Sequence, residues 1–157
     1  MWVETADQPL ELAMSMIADS QPRPASRPPW HRHRHGHGVQ LSHRCLGSAT
    51  VVTVMGEVDA SNSREVAVYV RDRLGECEYL ALDMEKVNFL GIPAFSALHC
   101  VNVECAHRGI PWVMTPSREV SRVLGICDPE SALPLATEVG AGLATLDRRS
   151  GPRYWLR

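Results

Sequence analysis

The chain has 157 residues, 45% of them apolar, and a formal net charge of −2. This is enough for one domain with a real core and some tail. It is too little charge to specify a polyanionic partner, and no apolar run approaches the ~20 residues that span a bilayer. Met1–Leu10 carries Glu4 and Asp7 without Lys or Arg and is not read as a secretory signal, so the expectation is a cytoplasmic protein with no membrane partner.

Residues 1–38 are expected to lie outside the fold as a disordered arm. Leu10–Ile17 could form two helical turns, but so short a helix is marginal alone. Ser20–Gly38 holds four prolines, four arginines and four histidines, with Trp30 as its one large apolar side chain. Such a segment buries too little surface to offset its ordering entropy.

From Val39 the pattern changes. Val39, Leu41, His43 and Cys45 alternate as a strand does, Gly47-Ser48 marks a turn, and Ala49–Met55 is a β-branched run suited to a central strand, so the pair reads as an antiparallel hairpin. Gly56-Glu57-Val58-Asp59 reads as a loop. Asn62-Ser63-Arg64-Glu65 has capping-box spacing for a helix that places Val66, Val70 and Leu74 on one face. Tyr79–Met84 is the next strand. Pro93–Arg108 is the longest helix, with Pro93 tolerated in its first turn and Gly109 as its stop.

Pro111–Thr115 reads as another strand, Ser117 as the cap of a helix Arg118–Leu124 ended by Gly125, and Leu133-Pro134-Leu135 as a short edge strand. Ala136–Arg149 is a last helix weakened by Gly140 and Gly142, followed by a frayed tail, 150–157. The domain is therefore expected over 39–149. Strands alternating with helices after an opening hairpin predict an α/β fold with right-handed crossovers.

Cys45, Cys77, Cys100, Cys105 and Cys127 form no C-x-x-C pair and are expected to be reduced. They read as small buried apolar side chains, and Cys100 and Cys105 fall on different helix faces. A redox switch involving Cys77 or Cys127 stays open.

Gly56-Glu57-Val58-Asp59-Ala60, Leu80-Ala81-Leu82-Asp83, Val87-Asn88-Phe89-Leu90, Arg108-Gly109-Ile110 and Ser121-Arg122-Val123-Leu124 occur in an order that resembles the STAS domain of bacterial anti-sigma factor antagonists. The resemblance covers Val39 to Leu146. It implies a mixed sheet of about four to five strands with helices packed mainly on one face. It also implies a non-catalytic protein that binds an anti-sigma factor, in that family often a serine kinase of the ATPase type, and so influences sigma-factor-dependent transcription. A homodimer is compatible with it.

The family's loop usually reads Asp-Ser-Ser-Gly, its second serine being phosphorylated. Here those positions hold Gly91, Ile92, Pro93 and Ala94, so Pro93 occupies the phosphoacceptor position without a hydroxyl, and the usual serine phosphoswitch is expected to be absent. The resemblance assigns partner binding to Asp59, Asn62, Leu90, Gly91, Ile92, Pro93, Ala94 and Ser96. Asp59 reads equally well as a solvated turn carboxylate. Asp83 reads as a local backbone partner, Glu57 as a solvated loop residue, Ser61 and Ser63 as helix caps, and Ser96 as a helix-surface serine.

His31, His33, His35 and His37 could bind Zn²⁺, Ni²⁺ or Cu²⁺, but the tract has no preset geometry and its arginines oppose a cation. Hence no metal site and no cofactor are assigned. The terminal arginines accompany no nucleic-acid-binding motif, and no nucleic-acid partner is expected. Gly140-Ala141-Gly142 is not a dinucleotide fingerprint, and no nucleophile elbow, zinc-ligand pair or paired carboxylates suggest an enzyme. The alternative to an anti-sigma factor antagonist is a STAS-derived small-ligand or metal-responsive sensor.

Overall fold

A computed structural model of the chain describes residues 33–34 and 38–150. The strands are β1 (His33–Arg34), β2 (Val39–Leu46), β3 (Ala49–Val58), β4 (Tyr79–Leu90) and β5 (Trp112–Pro116). The α-helices are α1 (Ser63–Arg71), α2 (Ile92–Arg108), α3 (Arg118–Cys127) and α4 (Val139–Ser150). One sheet runs β1-β2-β3-β4-β5, antiparallel across its first two pairings and parallel across β3-β4 and β4-β5. The mixed α/β architecture expected from the sequence is present.

Alternation along the strands sorts side chains onto two faces. Val52, Val54, Leu80, Leu82, Met84 and Met114 share one core with Val66 and Val70 of α1, Leu98 and Val101 of α2, and Val120 and Leu124 of α3. On the other face Val51, Ala81 and Val113 meet Leu146 of α4. Three helices cover one face and one covers part of the other. Gly142 sets that last approach, because a Cβ there would lie 2.8 Å from Val113 Cγ1 and 3.0 Å from Ala136 Cβ. The glycine that reads as a weak point in the helix is where the helix meets the sheet.

Several boundaries differ from expectation. Within the segment expected as a disordered arm, the backbone of His33–Arg34 pairs with Leu41 and Gln40. Apart from Gly38, the rest of that arm, with Trp30 and His31, His35 and His37, and the tail 151–157 lie outside the described residues. Gly56-Glu57-Val58 is strand rather than loop, and β4 continues past Met84 to Leu90.

α3 runs through Gly125 to Cys127, because burial of Val120 and Leu124 outweighs one glycine's cost of about 1 kcal/mol. Asp128 ends it, its carboxylate accepting from the N–H groups of Ala132 and Leu133 at 2.8 and 3.0 Å. Leu133-Pro134-Leu135 makes a single bridge to Met114 rather than a strand. α4 starts at Val139, three residues later than expected.

Two polar links tie helices to the sheet. Trp112 Nε1 donates to Asn102 Oδ1 of α2 at 3.0 Å. His43 Nδ1 lies 2.9 Å from the Tyr69 hydroxyl, and Arg73 Nε donates toward the same nitrogen at 3.5 Å, so Nδ1 carries the lone pair. The Arg73 guanidinium stacks 3.5 Å above the Tyr69 ring.

All five cysteines are free thiols. Cys105 is fully buried on α2, whereas Cys45 and Cys100 are exposed. Burial pushes the Cys105 thiol from 9.0 up to about 12, with nearby Cys77 and Glu104 adding to the effect and Arg108 opposing it. The unfolded thiol ionises first, so this contribution is intact below pH 9 and is lost as pH rises toward 12. Stability in reducing buffer should fall across that window, with Cys105 supplying on the order of 3 kcal/mol of the loss. Urea midpoints at pH 8 and pH 11 check this: Cys105→Ala should flatten the decline. Cys77 and Tyr69, raised chiefly by burial, leave a residual slope.

Candidate functional site

The site is the corner where two parallel strands end together. The ladder of β3 and β4 persists to the buried pair Val58↔Leu90, and Gly91 N–H then donates to Val58 C=O at 2.8 Å. β4 carries an extra residue at each of two register shifts, between Thr53 and Met55 and between Gly56 and Glu57. These bulges place buried residues three apart, at Met84, Val87 and Leu90, and turn Phe89 out to solvent.

Beyond Val58 the chain turns tightly. Asp59 C=O accepts from Asn62 N–H at 3.4 Å and Ser63 N–H at 2.9 Å. Asp59 Oδ1 accepts from Ser61 N–H at 2.8 Å and from the Ser61 hydroxyl at 2.6 Å. Asn62 is only 3% exposed. Its Oδ1 accepts from Asp59 N–H and its Nδ2 donates to Glu57 C=O, both at 3.0 Å. The Asn62 side chain makes no cap bond to α1, so that half of the expected capping box does not form.

Asn62 instead clamps the strand end to the turn. Asn62→Ala would leave two partly buried backbone groups short of their protein partner and should cost about 1–2 kcal/mol in chemical denaturation, without altering the far-UV spectrum.

Beyond Leu90, Gly91 is extended (φ −73, ψ 148) as the N-cap, and α2 begins at Ile92. Pro93 stands second in the helix, where a missing N–H costs nothing. Gly91 packs on the Asp59 turn, a Cβ there lying 3.5 Å from Asp59 Cα. The corner shows solvent Phe89 (50% exposed), Ile92 (64%), Pro93, Ala60, Ser61 and, one turn along α2, Ser96. No acidic side chain lies in the first turn of α2.

The fold thus brings together Asp59, Asn62, Leu90, Gly91, Ile92, Pro93 and Ala94. Asn62, Leu90 and Ala94 are buried, so their side chains shape the corner rather than face a partner. Phe89 escaped sequence reasoning. Its neighbours Val87 and Leu90 are buried, and only the bulges reveal that an aromatic between them faces out. Asp83 behaves as expected, accepting locally from Glu85 N–H at 3.1 Å.

Among the described residues no three His, Cys, Asp or Glu side chains converge as a metal site, and no helix is long and apolar enough to cross a membrane.

The sequence matches the STAS domain family over residues 40–140. It is 32% identical over 120 residues to osmosensory protein A of Mycobacterium tuberculosis, covering 71% of this chain and 76% of that protein. Among solved structures it resembles an anti-sigma factor antagonist from Mycobacterium paratuberculosis, with a TM-score of 0.63, 16% identity, and coverage of 71% and 96% of the two chains.

It also resembles SpoIIAA, an anti-sigma factor antagonist, in its unphosphorylated form, with a TM-score of 0.55, 14% identity, and coverage of 73% and 99%. The phosphorylated form, described as a Bacillus cell fate determinant, gives a TM-score of 0.52 at 15% identity, with coverage of 69% and 99%. With the family match spanning most of the described fold and its relative sharing nearly a third of aligned residues, the chain belongs to the STAS domain family.

Proposed function

We propose that this protein is an anti-sigma factor antagonist that docks an anti-sigma factor of the ATPase type on the corner formed by the Asp59 turn and the start of α2. It thereby frees a sigma factor for transcription and does so in the cytoplasm. One observation carries the reading: Phe89, Ile92 and Pro93 are exposed apolar side chains at one strand-to-helix junction, and the Asp59 turn packs on Gly91 between Phe89 and Ile92 in the chain. Apolar anchors rimmed by polar groups are the usual energetic centre of a protein interface. The proline at the phosphoacceptor position gives binding with no serine switch at that position.

The relative's name supports osmotic stress as the condition under which the interaction is used. Calorimetric titration of the full chain into the ATPase-type anti-sigma factors of its host tests the reading. One of them should bind with Kd below about 10 μM and release its sigma factor. Absence of binding to every one of them overturns it.

A further inference from the structure

We propose that the acidic N-terminal segment, residues 4–19, docks as an amphipathic helix on the half of the sheet that α4 leaves open, independently of any anti-sigma factor. The opening follows from where α4 lies. It packs on β5 and β4 and reaches β3 at Val51. Among the described residues the sheet has a helix over β4 and β5 on this side and none over β2.

The pleat determines what that half presents. Leu41 and Val54 are paired and point into the core beneath α1, α2 and α3. Their alternates, Ser42, Arg44 and Leu46 on β2 and Thr53 and Met55 on β3, therefore belong to the side of α4. Lys86 opposes Met55 beyond the first bulge and joins them. Arg44 and Lys86 are exposed, Leu46 is 48% exposed, and Met55 is half-buried. Asp83 lies toward β5, paired with Thr115, and its Oδ1 accepts the Glu85 N–H at 3.1 Å. Apolar side chains flanked by two cations fit an acidic amphipathic partner.

The chain holds one segment of that character. Residues 1–22 contain Glu4, Asp7, Glu11 and Asp19 without Lys or Arg, whereas 23–34 carries four arginines and the tail 151–157 two. Charge therefore selects the first segment over the other two. Leu10, Ala13, Met14 and Ile17 recur at the spacing of one apolar helical stripe, and Asp7 and Glu11 lie a turn apart along its margin. So short a helix is marginal alone, and burying its stripe against Leu46 and Met55 supplies the missing stability.

The tether suits this placement. His33–Arg34 pairs with β2, so the chain joins the sheet at the edge of its open half. Residues 18–32 can extend to about 50 Å, more than twice the roughly 20 Å width of a five-stranded sheet. Attachment through the same chain keeps the segment at high effective concentration, so modest contacts suffice.

The test uses the full chain with the photoreactive p-benzoylphenylalanine in place of Met14, irradiated as an equal mixture of ordinary and heavy-nitrogen-labelled protein. Cross-links, mapped by tandem mass spectrometry, are expected within one chain and to the peptides holding Ser42–Leu46 or Thr53–Met55. Arg44→Glu with Lys86→Glu should lower their yield about fivefold, and adding Asp7→Lys and Glu11→Lys should restore it to within about twofold. Unchanged melting curves confirm that these exposed substitutions leave the domain folded.

Cross-links to other surfaces overturn the proposal, as does a yield that the reversed charges do not lower or the swapped charges do not restore. Links between chains rather than within one also overturn it and make a second copy the occupant.

Discussion

Replacing Gly56 with alanine should destabilise the protein by at least about 3 kcal/mol, enough to leave much of a marginally stable domain unfolded at 37 °C. Gly56 has φ +94, a conformation costly for any residue with a Cβ. The added methyl would overlap the Gly38 carbonyl oxygen and come within 3.0 Å of its carbon. That carbonyl cannot simply move aside, because it accepts the Glu57 N–H at 3.0 Å and leads directly into β2. The strain thus falls on the end of the β2–β3 ladder, where Gly56 pairs with Val39. Thermal melting followed by circular dichroism checks it; a melting point within a few degrees of wild type would show that this end of the ladder is softer than the geometry implies.

Ile92→Glu should have the opposite profile: little change in stability and a loss of anti-sigma factor binding of about 100-fold or more. At 64% exposure the side chain contributes little to the core, so the fold has little to lose. An anchor in the middle of an apolar interface carries about 2–3 kcal/mol, and a carboxylate in its place adds uncompensated desolvation. Phe89→Ala should lose less, since the adjoining Ile92 and Pro93 surface remains. Calorimetry on variants with unchanged melting curves separates these effects from misfolding. Full affinity in Ile92→Glu would move the interface off this corner.

Much of this architecture can be read from residue patterns. Val39 to Cys45 alternates, Gly47-Ser48 turns as a hairpin must and Ala49–Met55 runs on as a central strand, and the long apolar helix stops at Gly109. The failures share one cause. Gly56 looks like a loop residue, yet it is a strand position whose unusual φ goes with the close approach of the Gly38 carbonyl. The bulges in β4 break the two-residue period that identifies a strand, so Met84, Val87 and Leu90 recur at a helical spacing inside an extended segment.

The site was legible as a stretch of chain but not as a surface. Nothing in Asn62's neighbours along the chain shows that its amide joins Glu57 to Asp59, because that pairing depends on where β3 ends. The same holds for His43, 26 residues from Tyr69 and 30 from Arg73, which meets that pair only once the fold has formed.

The persistence of the β3–β4 ladder past its two bulges to Val58 and Leu90 has a kinetic consequence. Because Val58 and Leu90 are still paired where the chain leaves the sheet, and Asn62 fixes the turn that follows, the corner has few alternative conformers to discard on encounter. Association should therefore proceed as rigid-body docking, with a single relaxation phase whose rate rises linearly with partner concentration. Loosening the turn through Asn62→Ala should introduce a concentration-independent slow phase, because a fraction of molecules must reorder the corner before they can engage.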